Sequence, residues 1–250
     1  MAADAERLAG ADGPAQRLRV QLDRLRVLRE APPVDRSGSA LLAALRRWQA
    51  QRLARTYADL AASERYGPAT AFFLSDLYGE RDFAKRDLSL ERAFPLIVKL
   101  LPDAALLPLA RAIELHALSA ELDHTLCKSL EQDPGARSGI TEAAYAAAYR
   151  RCANRAPRLR QIELLRAVGE PLDQVVAKPL VGRLLKLARK PASIGGFAEL
   201  QDFLERGYAA FKHMDGAGEF LATIEQRETR ILERLFAGAA HPFDTAPEQP

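Results

Sequence analysis

Acid and histidine spacing supplies the first candidate chemistry. Glu121-Leu-Asp-His124 sets a carboxylate and an imidazole three residues apart, so both project from one side of a helix. Bundles of the ferritin type hold a metal pair with two such motifs and two further glutamates, whereas this chain has one. Glu114, a heptad before Glu121 and about 20° from it on the helical wheel, could join Glu121 and His124 around a metal ion. His116 stands about 80° from His124, awkward for one ion bound from this helix alone. With 18 Glu and 4 His in 250 residues, one Glu-x-x-His pair arises readily by chance, and a satisfied or partly exposed histidine is the plain alternative.

Haem ligation is a second option. His213, near the end of an expected 197–213 helix with Met214 beside it, has the type and place of an axial ligand, and His116 is the other candidate. A histidine there is equally explained by its charge meeting the negative end of the helix dipole. His241 falls in the proline-containing tail. Nucleophilic catalysis finds little support. There is no Gly-x-Ser-x-Gly elbow, and Cys127 and Cys152 lie inside helical patterns where they read as small core residues. Ile194-Gly-Gly-Phe197 lacks the lysine and Ser/Thr of a phosphate-cradling loop and permits a turn before a helix. Whether the chain is an enzyme stays open.

A basic stretch is the better candidate. From Arg150 to Lys190 there are eleven Lys/Arg against three acids (Glu163, Glu170, Asp173), in a chain whose net charge is only +3. Arg183, Lys186, Arg189 and Lys190 recur at helical spacing away from Leu180, Leu184 and Leu187, giving a cationic amphipathic helix. Such a face suits anionic lipid, nucleic acid or an acidic protein, or is simply solvated. Few aromatics and no recognised reading motif argue against nucleic acid.

The elements that must position these residues are helices. Sustained alternating β-branched runs and Asn-Gly hairpins are missing, while apolar residues recur every three to four positions. Leu18, Leu22, Leu25 and Leu28 mark a short helix that Ala31-Pro-Pro33 stops. Ser37 or Ser39 caps a second, running to about Ser63 with Leu42, Leu45, Trp48, Leu53 and Leu60 on its apolar side and Gln49 interrupting the stripe. Tyr66-Gly-Pro68 starts a shorter helix through Phe72, Phe73, Leu74, Leu77 and Tyr78, ended by Gly79. Asp87 or Ser89 opens another, kinked or delayed by Pro95.

A long helix of about 105–131 carries Leu115, Leu118, Leu122, Leu126 and Leu130 on one arc and Leu106, Leu109 and Ile113 on another. Apolar arcs on two sides place it near the centre of a bundle. Further helices are expected at about 141–154, 158–168, 171–190 with a break at Pro179, 197–213 and 217–237. The expectation is one all-α domain over 15–238, an irregular bundle of eight to ten helices between tails at 1–14 and 239–250.

Ala71-Phe-Phe-Leu-Ser-Asp-Leu-Tyr-Gly79, followed by Arg81-Asp-Phe-Ala-Lys-Arg-Asp87, resembles the bacterial proteins named for a Phe-Phe-Leu-Glu-Glu-Leu-Tyr (FFLEELY) motif. Gln51–Leu60 upstream and Ile113–Ser119 downstream extend the likeness over roughly residues 45–130. Ser75 and Asp76 replace the two glutamates and keep the apolar spacing. The family is uncharacterised, so the resemblance implies no activity or site. Phe72, Phe73, Leu74, Leu77 and Tyr78 read as core packing or, less simply, as a pocket wall.

Composition bounds the rest. Hydrophobic residues make up 48% and charged residues 28%, ordinary for a globular chain. Two cysteines, an acidic start without signal-peptide order and no apolar run near a membrane span predict a soluble cytoplasmic protein. The function expected is a non-catalytic interaction or regulatory module meeting an acidic protein or other anionic macromolecule. The alternative is a bundle holding haem or metal through its His and Glu residues.

Overall fold

Turn residues and apolar stripes set the helix boundaries in the structure, a computed structural model that describes residues 13–30, 36–77, 84–100 and 103–244. Helix α1 (Pro14–Glu30) opens on proline, which needs no intrahelical N–H at that position. Helix α2 (Arg36–Thr56) starts ahead of Ser37 and Ser39, so both serines sit in its first turn rather than capping it. It stops at Tyr57, whose φ of −113° and ψ of 21° leave the helical region, and a short α3 (Ala58–Ala62) follows.

Helix α4 (Gly67–Phe72) passes directly into a π-helical turn, Phe73–Leu77. The regular helix expected there is thereby corrected, because a π turn bonds i→i+5 and accommodates an extra residue. Phe72 and Phe73, adjacent in sequence, are both buried. Tyr78 and Gly79 lie outside the described residues, as do the breaker Ala31-Pro-Pro33 and residues 1–12 and 245–250.

Helix α5 (Ala84–Leu100) begins before Asp87 and carries Pro95 inside it with its ring exposed. Helix α6 (Asp103–Leu130) is the long helix expected. A 3₁₀ turn at Pro134–Arg137 follows, where Asp133 Oδ1 accepts from the Gly135 N–H at 2.9 Å. Thr141 Oγ1 caps α7 (Glu142–Arg151) by accepting from the Ala144 N–H at 3.2 Å. Helix α8 (Arg155–Val176) runs unbroken through Gly169-Glu-Pro171, which had been expected to separate two helices. Helix α9 (Pro179–Ile194) restarts at Pro179 as expected but contains Pro191. Helices α10 (Ala198–Met214) and α11 (Gly218–Ala237) are the last among the described residues. Asp215, at φ 50°, and Gly238, at φ 76°, end them in the left-handed region. No strand occurs among the described residues, and the fold is all-α.

The chain divides into two compact units. The first comprises Met1–Ala31, Asp82–Ala117 and Leu164–Ala217. Its core joins Leu18, Leu22 and Leu25 of α1 to Phe94 and Val98 of α5 and to Leu106 and Ile113 of α6. Arg29 donates to both carboxylate oxygens of Glu91, at 2.8 and 3.1 Å, bracing α1 on α5. The second comprises Pro32–Arg81, Leu118–Glu163 and Gly218–Pro250. Its core gathers Leu41 and Leu45 of α2, Leu126 and Leu130 of α6, Tyr145 and Tyr149 of α7, and Ile231 and Leu235 of α11. Trp48 stacks on Tyr145 with ring centroids 4.1 Å apart. Leu106 and Ile113 of α6 belong to the first core, and Leu126 and Leu130 to the second.

Candidate functional site

Helix α9 has apolar residues on two neighbouring arcs. At about 100° per residue, Val181, Leu185 and Ala188 fall on one, and Leu180, Leu184, Leu187 and Ile194 on the other. The first is half-buried, where α9 packs on α10. The second stands in water, with Leu187 73% and Ile194 90% exposed. No residue of α9 is buried.

Three contacts hold α9 in place without a core. Gln201 Nε2 donates to the Leu185 carbonyl at 2.7 Å. Arg189 donates through Nε and Nη2 to the two carboxylate oxygens of Glu205, at 2.7 and 2.5 Å. Tyr208 closes over Gly182, where a side chain would collide with it. The hydrogen bond from Arg189, then that from Gln201, pulls the Glu205 carboxyl down to about 2. Arg189 is therefore engaged within the unit, while Arg183, Lys186 and Lys190 lie exposed. Arg183 and Lys190 fall about 60–80° from Leu180 on the wheel, directly beside the leucine row. Chemically, this surface can bury aliphatic carbon and neutralise anionic groups at once.

The candidate metal and haem residues are placed differently. Glu114, Glu121 and His124 are half-buried along α6, and His124 Nδ1 lies 2.7 Å from the Ala120 carbonyl of the preceding turn. Among the described residues no group of three or more His, Cys, Asp or Glu side chains comes together as a metal site. His116 is half-buried in α6. His213 is exposed in the last turn of α10, whereas its neighbour Met214 is fully buried. Burial pushes the Cys127 thiol up to about 11 and also raises Cys152, as suits structural thiols.

Sequence reading missed a buried polar network in the second unit. Arg52 Nη1 donates to Glu228 Oε1 at 2.6 Å, and the Tyr57 hydroxyl donates to the same oxygen at 2.8 Å. Burial works against the Arg52 charge, but Glu228, Tyr145 and Tyr57 together outweigh it and raise the guanidinium above its ordinary value. Nearby, Arg227 donates to both Asp59 oxygens at 2.7 and 2.6 Å and to the Thr56 carbonyl at 2.8 Å. Gln49, the polar residue in the α2 stripe, donates to Asp123 Oδ1 at 3.1 Å, and Arg46 lies 3.6 Å from the other oxygen. Desolvation still raises the Asp123 carboxyl above its usual range. The guanidinium of Arg158 sits 4.7 Å from the Tyr149 ring centroid. The signal for this network was slight: Gln49, Arg52 and Thr56 share the apolar side of α2 with Leu45 and Trp48.

Fold and surface together define an all-α protein in which α9 displays a hydrophobic row rather than packing it. The chain belongs to the family described as a domain of unknown function, DUF8198, which matches residues 29–242 and so includes all of α9. No curated protein and no solved structure matches it. No helix among the described residues is long and apolar enough to cross a membrane.

Proposed function

We propose that this is a non-catalytic cytoplasmic binding module whose outward face of α9 docks an anionic partner: an acidic protein or other anionic macromolecule, or an anionic lipid surface. The observation that carries this is the exposure of Leu180, Leu184, Leu187 and Ile194 in a row on a helix with no buried residue. Aliphatic rows of this kind cost free energy in water and mark interaction surfaces when they are contiguous. Arg183 and Lys190 beside the row, with Lys186 exposed further round the helix, set the sign of the partner. Kinship with the FFLEELY-motif proteins is part of the same proposal; Phe72 and Phe73 of that motif are buried within the second unit.

The test is a titration of the full chain against three anionic probes: duplex DNA, an acidic amphipathic peptide and vesicles of equimolar phosphatidylcholine and phosphatidylglycerol. Binding to at least one probe is expected, weakened by about tenfold or more in Leu184→Ser/Leu187→Ser, since each leucine forfeits a share of about 1.5–3 kcal/mol. Binding to none, or equal binding by the variant, overturns the proposal.

A further inference from the structure

Resting on that reading, we infer that the partner of α9 is an anionic lipid surface, on which the helix lies in the plane of the headgroups. Four observations favour lipid over protein or nucleic acid. From Gln174 to Ala198 the chain holds no Asp or Glu, while Lys178, Arg183, Lys186, Arg189 and Lys190 give five positive charges. This is the composition of interfacial helices, basic on one side and aliphatic on another.

The geometry agrees. Leu180, Leu184, Leu187 and Ile194 share an arc of about 80°, with Arg183 and Lys190 at its edge. With the leucines submerged, those stems reach the phosphate level while their apolar carbons stay against the acyl boundary. Glu205 and Asp202 act on Arg189, which lies about 180° from Leu180, and Glu205 also acts on Lys186, so this acid pair faces the side of α9 opposite the leucine row.

The row also stands proud. Leucines 53–73% exposed and an isoleucine 90% exposed form a ridge, not a pocket in which a partner's side chain could be seated. Protein hot spots are concave and rich in Trp and Tyr, and the outward arc of α9 has neither. A fluid interface asks only for area and charge sign. Nucleic acid would gain nothing from the leucines.

Vesicle sedimentation with the full chain tests this. The protein is expected to sediment with vesicles of equimolar phosphatidylcholine and phosphatidylglycerol, to stay in solution with phosphatidylcholine alone, and to be released as salt is raised. Arg183→Glu/Lys186→Glu/Lys190→Glu is expected to lower partitioning by about a hundredfold or more, at about fivefold per basic residue removed. Leu184→Ser/Leu187→Ser separates insertion from simple charge attraction and is expected to lose about tenfold per leucine. All five side chains are exposed, so neither variant removes core contacts, and circular dichroism verifies their folding. No sedimentation with the anionic vesicles, or sedimentation that survives the leucine changes, overturns the inference. If DNA or the acidic peptide binds instead and the same variants lose it, the lipid assignment falls while the binding module stands. If none of the three probes binds, both fall.

Discussion

Tyr208 of α10 stands directly over Gly182 of α9: a Cβ built on Gly182 would lie 2.5 Å from the Tyr208 hydroxyl oxygen and 2.9 Å from its Cζ. The missing side chain is what lets α9 approach α10 while its leucines face outward. A glycine inside a helix costs about 1 kcal/mol relative to alanine, so the approach offsets a local penalty.

Gly182→Ala is therefore expected to destabilise the native chain, because the methyl group must displace a ring. In a Tyr208→Ala background the same change is expected to reverse sign and stabilise by up to about 1 kcal/mol through helix propensity alone. Urea unfolding of the four proteins in the cycle measures the coupling. Equal effects in both backgrounds would remove the close approach from the account.

Arg52 and Glu228 are 11% and 15% exposed at their side chains and 2.6 Å apart. Arg52→Met leaves the mostly buried carboxylate without its cation, with the Tyr57 hydroxyl still donating, and is expected to cost about 3–5 kcal/mol. Arg52→Met/Glu228→Leu removes both charges and is expected to regain much of that loss, with Tyr57 left to find another acceptor. Denaturant midpoints of the single and double variants decide it. A double variant as weak as the single would show that packing, not the unpaired charge, dominates.

Acid should loosen the hold on α9. The Glu205 carboxyl is held at about 2 against an ordinary 4.5, so the folded chain ionises it more readily than the unfolded one. Its contribution is complete above pH 4.5 and is lost as the pH falls towards 2. Amide protection factors across residues 180–192, with the pH dependence of intrinsic exchange divided out, are expected to fall over that window in the native sequence. In Glu205→Gln they should already be low at neutral pH and change little on acidification.

The two cysteines make a simpler test. With its thiol pushed up to about 11 by burial, then by Glu131 and Asp123, Cys127 holds its proton at mildly alkaline pH. A thiol reagent at that pH is expected to leave Cys127 unlabelled in the native state and to reach it only when the second unit unfolds. Peptide mapping after a timed pulse reads this directly. Labelling of Cys127 as fast as that of a free thiol would refute its burial.

Fold class and most helix boundaries were legible in the sequence, because both are set by neighbours within four residues. Leu18, Leu22 and Leu25 declare a stripe, and Pro179 a restart, whatever else the chain does. Where local signals conflicted they misled: Gly169 and Pro171 were read as a break that α8 passes through, and Phe73 opens a π turn where a regular helix was expected. Tertiary structure alone decided which of the two apolar arcs on α9 would be covered. That choice rests on Tyr208, Glu205 and Gln201, a helix away, and periodicity cannot rank adjacent arcs. Likewise Arg52 finds Glu228 across 176 positions of sequence. Period and punctuation record how a segment hides its own stripe from water; which partner hides it, and which row is left showing, is settled only when distant helices meet.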